Sequence, residues 1–295
     1  MNLDDLLATT QRLNTAAESL AAVAASLRMH SEPLDVPEDV AERLEAVNAA
    51  LGLDLGSLDP QQCQMALGAV RAFFRQGAEL MDAPDRPPGW LSDDPTLLQS
   101  QGRASMMVAP LLAQLAPGLG DLAGRLQRRD ARLLDLGTGT GWLAIALART
   151  FADATVVGVD VAERPLALAR QNVESEGLAD RVLLHHGDAA ALDDEEAFDL
   201  VWVPGPFLGA EDLPGILARA RAALRPGGWV VLGRYAGPDD PVASALIDLR
   251  VVRSGGHPWR TPEAEGLLVD AGLADVGTPE RRWSAPMVFT VGRRA

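Results

Sequence analysis

The sequence predicts an α/β fold: a doubly wound, mostly parallel sheet with an antiparallel last strand, preceded by an all-helical N-terminal domain. Three observations predict it. From Leu133 onward, short apolar runs of strand length alternate with helical periods. A glycine-rich turn, Gly137, Gly139 and Gly141, joins the first of those runs to an apolar helix. Before residue 90 only helical periods occur, and the proline-rich Asp82–Trp90 closes them off. The expected domains are therefore 1–90, helical and serving as a lid or dimerisation unit, and 91–295, the α/β unit.

The first helix covers residues 1–30, with Leu3, Leu6, Leu7, Leu13, Leu20, Val23 and Leu27 at helical spacing. Two prolines break the chain before a second helix, Glu38–Leu51. Asp59 and Pro60 form a cap and first-turn pair for a third, running to about Met81. Asp94-Pro95 opens an apolar stripe interrupted by Gln99, Gln101, Arg103 and Ser105, and Asp121–Arg129 reads as a short helix. The sheet then begins: strand Arg132–Leu136, helix from Trp142, strand Thr155–Asp160, helix Arg164–Glu176, strand Arg181–Asp188. Phe198–Phe207 starts as a strand and ends in a Pro-Gly-Pro turn. Helix Asp212–Leu224, strand Trp229–Tyr235, helix Val242–Val252 and helix Thr261–Ala271 follow, and Ala274–Thr278 with Met287–Arg293 fit a final hairpin at the sheet edge. Strand alternation turns one of His185 and His186 inward, as a satisfied core histidine. Trp142 reads as packing at its helix start, and Cys63 as a small buried apolar residue.

Composition removes several function classes. All 26 basic residues are arginine, so neither a lysine Schiff base nor a phosphate-binding P-loop lysine is available. A formal charge of −15 repels nucleic-acid backbones and points to a small-molecule partner, although a local arginine patch can still accept an anion. No apolar run reaches the ~18 residues of a membrane span. The acidic start lacks the basic, apolar pattern of an export signal, and one cysteine permits no internal disulfide, so a cytoplasmic setting is expected. No metal site is expected.

The glycine turn supplies the chemistry. Glycines at alternate positions allow φ > 0 and leave bare backbone for a ligand, at the positive end of a helix. Dinucleotide binding asks for a third glycine where Trp142 stands. The pattern is instead Asp135-Leu-Gly-Thr-Gly-Thr-Gly141. Asp160 follows the middle glycine by 21 residues (160 − 139), and His186-Gly-Asp-Ala, the Pro-Gly-Pro turn and Arg225-Pro-Gly-Gly228 come after it in order. From its position alone, Asp160 also reads as a cap for the next helix, and Asp188 as a turn aspartate.

These motifs, over about residues 130–235, resemble the class I S-adenosylmethionine-dependent methyltransferases, whose fold is Rossmann-like. The resemblance implies that Asp135, Gly137, Thr138, Gly139 and Gly141 meet the methionine part of the cofactor. It implies ribose contacts at Asp160 and Val161, adenine contacts at Asp188 and Ala189, and a place beside the methyl donor for Pro204. Leu246–Leu273 is similar to a stretch of small-molecule O-methyltransferases. Those enzymes carry a catalytic histidine just after the fourth strand; near Pro206 this chain has none. The Asn-Pro-Pro-aromatic signature of amide and amine N-methyltransferases is also missing, with Val203 in the asparagine's position. Candidate catalytic residues are His257, Tyr235 and Glu211. Candidate acceptor contacts are Gln101, Arg103, Phe207, Arg234 and Trp259.

The expected function is S-adenosylmethionine-dependent methyl transfer to an O, N or C atom of a small molecule, in bacterial specialised metabolism, by a homodimer. The rivals are a relative that binds the cofactor without methylating, and a non-catalytic assembly subunit.

Overall fold

A computed structural model describes residues 2–89, 94–236 and 240–295. Contacts within the chain separate it into two units, Met1–Pro84 with Gln99–Ala104, and Asp85–Leu98 with Ser105–Ala295. Trp90, the end of the expected linker and of the expected first domain, lies outside the described residues.

The first unit holds α1 (Leu3–Ser31), α2 (Glu38–Ala50), a 3₁₀ turn at Leu55–Ser57, and α3 (Pro60–Asp82). Two reciprocal caps start its long helices. Asn2 Oδ1 accepts from Asp5 N at 2.8 Å, and Asp59 Oδ1 accepts from Gln62 N at 2.8 Å, with Pro60 in the first turn. Its small core is Leu27, Leu55, Cys63 and Leu67. Cys63 is fully buried, and burial pushes its thiol pKa up, which makes it a packing residue. From α4 (Pro95–Ser105), residues Gln99–Ala104 pack here against Gly68, where a side chain would meet Arg103 Cβ at 3.0 Å.

The second unit is built on a seven-stranded sheet. After α5 (Val108–Leu115) and α6 (Leu122–Arg125) come β1 (Arg132–Leu136), α7 (Trp142–Thr150), β2 (Thr155–Asp160), α8 (Glu163–Ser175), β3 (Val182–His186) and β4 (Phe198–Pro204). Then follow α9 (Leu213–Ala223), β5 (Leu224–Tyr235), α10 (Pro241–Arg253), α11 (Thr261–Asp270), β6 (Ala274–Gly277) and β7 (Met287–Arg293). The strand order is β3-β2-β1-β4-β5-β7-β6, with β7 antiparallel to both its neighbours. Strand order reverses between β1 and β4, and in such sheets the ligand crevice opens beyond the carboxyl ends of the strands at that point. The core under the sheet is aliphatic: Leu134, Leu136, Val157, Val201, Val203 and Leu232 meet Leu213, Ile216 and Leu217 of α9.

Three local expectations need correction. The apolar stripe after Pro95 is two helices, because Pro110 lacks a donor and sits where α5 restarts, in a first turn that needs none. The helix expected over Asp121–Arg129 lasts one turn, and beyond it Arg128 reaches the Asp199 carboxylate at 3.8 Å. The last hairpin lies at the sheet edge as expected, with β7 paired to β5 and β6 outermost. Neither His185 nor His186 is a core residue: β3 is the opposite edge, both rings are exposed, and His186 Nε2 lies 3.0 Å from Val161 O.

Candidate active site

Gly137, Gly139 and Gly141 have φ of 63°, 56° and 78°, a region costly for other residues. Two are also close-packed: a Cβ on Gly141 would sit 3.0 Å from Ala169 Cβ, and one on Gly137 would sit 3.3 Å from Pro204 Cγ. The turn thus passes against the end of β4 with no side chain between them. Trp142 is buried where α7 starts, and no side chain caps that helix.

Carboxylates hold the turn from both sides. Thr138 Oγ1 donates to Asp135 Oδ2 at 2.8 Å, and Thr138 N donates to Val159 O at 3.1 Å. Asp135 is 1% exposed; burial, with the neighbouring Asp160 charge adding to it, pushes its pKa up to about 7, against the opposing Thr138 hydrogen bond. Asp160 is half-buried at the end of β2. Its Oδ2 accepts from Gly139 N at 2.7 Å and its Oδ1 from Ala162 N at 2.8 Å. Burial raises its pKa, with these amides and His186 opposing. Asp160 therefore caps the backbone that follows it and also fixes the glycine turn. Each carboxylate oxygen has two acceptor sites, so capacity for a diol is left.

Val161, 70% exposed, forms an apolar ledge beside Asp160. Asp160 is in register with His186, so Asp188 lies just beyond on the next strand end. Asp188 Oδ1 accepts from Ala190 N at 2.8 Å and starts the 3₁₀ turn Ala189–Ala191. The ends of β1, β2 and β3 thus gather glycines, two carboxylates and an apolar ledge in the order a nucleoside with a charged tail needs.

The neighbouring strand ends form a second feature, a shallow open cleft. Its walls include Gly205 and Pro206 after β4, Arg234 and Tyr235 at the end of β5, Ile247 on α10, and His257 and Trp259 in the next loop. Arg234 is 5% exposed, and burial lowers its pKa, with Glu265 opposing. Its Nη1 donates to Trp259 O at 2.9 Å, its Nε and Nη2 to Thr290 Oγ1, and its Nη2 also to Thr261 Oγ1 at 3.2 Å. This arginine ties the α10–α11 loop to the sheet. His257 is exposed, and its ring stands 4.3 Å from the Trp259 ring at 54°.

Of the nominated acceptor-side residues, Tyr235, Arg234, His257 and Trp259 share this cleft. Phe207 ends the 3₁₀ turn after β4, and Glu211 is exposed ahead of α9; neither is among the cleft walls. Gln101 and Arg103 fall in the first unit, where Gln76 Nε2 donates to Gln101 Oε1 at 3.4 Å. Sequence reasoning passes over Gly158 and Gly256. A Cβ at Gly158 would lie 2.7 Å from Thr138 Oγ1, and one at Gly256 would lie 2.2 Å from Pro206 O. A lone glycine inside the apolar run of β2 and a Gly-Gly pair in a loop are the signals that point to them. Among the described residues no His, Cys, Asp and Glu cluster could hold a metal ion, and no helix is long and apolar enough to cross a membrane.

Comparison with known proteins agrees with this geometry. Residues 133–228 match a family model described as a methyltransferase domain. The chain is 41% identical over 91 residues, 31% of its length, to a ribosomal protein uL3 glutamine methyltransferase of Bradyrhizobium diazoefficiens, of which it covers 28%. It is 35% identical over 149 residues, 48% of its length, to the methyltransferase GfsG of Streptomyces halstedii, of which it covers 52%. The chain thus spans about half or less of these curated relatives. A solved structure of an O-methyltransferase family protein from Burkholderia thailandensis matches with a TM-score of 0.67 at 19% identity, covering 100% of this chain and 98% of that one, a likeness of fold. Sheet order and glycine turn define a Rossmann-like α/β fold. Residues 133–228 thus form a domain that a methyltransferase family model describes.

Proposed function

We propose that the protein transfers a methyl group from S-adenosylmethionine to a small organic molecule held in the cleft at the ends of β4 and β5. The observation carrying this reading is the bond from Gly139 N to Asp160 Oδ2, 2.7 Å long, which braces the glycine turn beside the ledge of Val161. A Cβ at Gly137 would fill the space next to Pro204. These residues fit the cofactor: the glycine turn and Asp135 take the methionine part, Asp160 and Val161 the ribose, and Asp188 and Ala189 the base. When bound, it supplies a methyl group on a sulfonium, activated for in-line displacement.

The chain's own work is then alignment, which alone can contribute ~7 kcal/mol or more. The acceptor's lone pair forms the new bond to carbon, the carbon–sulfur bond breaks with its electron pair staying on sulfur, and any acceptor proton leaves to a base. Of the candidates, Tyr235 and His257 line the cleft and Glu211 does not. Glutamine, which the uL3 relative's name prints, fits less well because Val203 stands in the asparagine's position of the amide and amine N-methyltransferase signature.

Partners and setting belong to the same reading. A helical domain, 1–90, serves as lid or dimerisation unit for the catalytic domain, 91–295. The first half of α1 exposes Leu3, Leu6, Leu7 and Leu13, between 44% and 68%, which supports a homodimer formed through that helix. The setting is a bacterial cytoplasm, and neither metal nor nucleic acid takes part. The absence of a histidine near Pro206 favours one second reading, a protein that binds the cofactor and methylates nothing.

Calorimetric titration with S-adenosylhomocysteine tests cofactor binding; no binding by the folded protein ends the proposal. Release of S-adenosylhomocysteine in the presence of candidate acceptors, with a mass gain of one methyl group on the acceptor, separates the enzyme from the silent binder. Sedimentation of the intact chain and of Leu6→Glu tests the dimer.

A further inference from the structure

The cleft is positively charged inside a strongly acidic chain. Its walls contain Arg234 and Arg260 against one carboxylate, Asp248, which is paired with Arg260 at 2.6 Å. Among the described residues Arg234 has no carboxylate within ion-pair distance, Glu265 acting on it only from further away, and every bond it makes is to a neutral oxygen. A guanidinium carries five N–H donors. Nε and both Nη2 donors are used, and one Nη1 donor goes to Trp259 O, so one Nη1 donor is left without an acceptor among the described residues. A second cleft residue repeats the imbalance, for the buried Trp259 Nε1 has no acceptor among them. Burying a charge without a counter-ion is costly, and a buried donor without an acceptor adds to that cost. Where two such groups line one cleft, a ligand can complete them. The Trp259 and His257 rings, 4.3 Å apart and inclined at 54°, add aromatic surface to the same cleft.

We propose that the methyl acceptor is an organic acid, whose anionic oxygen takes Arg234 as its counter-ion. This rests on the reading of the cleft as the acceptor site. It also accounts for an acceptor pocket set in a surface of −15 formal charge, since attraction is confined to one buried cation.

The test is calorimetric titration of the full chain, with and without saturating S-adenosylhomocysteine, using benzoate and its uncharged analogue benzamide. The expected result is binding of benzoate at least tenfold tighter than benzamide. Arg234→Met should erase that preference while S-adenosylhomocysteine affinity stays within twofold. Because Arg234 also ties a loop, Ile247→Trp is the companion variant: it narrows the cleft without touching any Arg234 bond and should weaken benzoate at least tenfold. Equal binding of benzoate and benzamide overturns the proposal, as does undiminished benzoate binding by Ile247→Trp. Loss of S-adenosylhomocysteine binding by the wild type is a separate failure, that of the cofactor reading. In that case the titration without it still decides whether the cleft selects an anion.

Discussion

Asp135 offers a measurable consequence of burial. Its carboxyl is 1% exposed and receives a hydrogen bond from Thr138, yet burial and the nearby Asp160 charge raise its pKa from 3.8 in the open chain to about 7. Each pKa unit corresponds to about 1.4 kcal/mol, so ionising Asp135 costs the folded state about 4 kcal/mol more than the unfolded one. The sign follows from linkage. The folded pKa lies above the unfolded one, so this contribution to stability is fully present below the unfolded value and is lost as pH rises through the folded value. Between about pH 5 and pH 7 the loss integrates to about 2 kcal/mol. Asp135→Asn keeps an oxygen for Thr138 and removes the titration. Urea unfolding can be followed by tryptophan emission, because the tryptophans among the described residues, Trp142, Trp202, Trp229, Trp259 and Trp283, all belong to the second unit. The expected result is that wild-type stability falls over this pH range by about 2 kcal/mol more than that of Asp135→Asn. Parallel profiles would refute the reasoning, because they would mean that the buried carboxyl is already ionised in the fold.

Further outcomes follow from other contacts. Asp160→Ala removes a charge-assisted acceptor and the brace on Gly139, and should weaken S-adenosylhomocysteine by about 2 kcal/mol in calorimetry. Gly158→Ala drives a Cβ to within 2.7 Å of Thr138 Oγ1, so it should lower both Tm and S-adenosylhomocysteine affinity. Gly215→Ala, on α9 with nothing within 4 Å, should instead raise stability by about 0.5–1 kcal/mol. Asp199→Ala strands a cluster of arginines around a fully buried site, and should cost about 3 kcal/mol or more in urea unfolding with S-adenosylhomocysteine affinity unchanged.

Period and punctuation make most of the second unit legible in the sequence. The boundaries of β1, β2 and β7 follow from apolar runs closed by polar or glycine residues, and in the first unit the start of α3 follows from the Asp59-Pro60 cap. The glycine turn is readable because its chemistry is local: three glycines, then carboxylates at the ends of the next two strands. What escapes is set by partners distant in sequence. His185 and His186 face solvent because β3 is an edge, and nothing within the strand says which edge it occupies. The insertion of β7 beside β5 is likewise decided by the whole sheet. On the acceptor side, Arg234 can be nominated as a strand-end cation, but its ties to Thr261 and Thr290 join residues 27 and 56 positions away. Gly256 matters only because Pro206 O comes to rest where its side chain would be.

The Asp199 cluster sits at the amino end of β4, opposite the cleft. There Asp199 accepts from Arg132 N at 3.1 Å and from Arg225 at 2.8 Å, and stands within 4 Å of Arg125 and Arg128. None of those bonds reaches residues 247–260. The molecule is therefore modular in an evolutionary sense. A library that diversifies the α10–α11 loop varies the cleft wall against a constant anchor, so new ligand preferences can be selected while the fold's own tolerance to mutation stays largely intact.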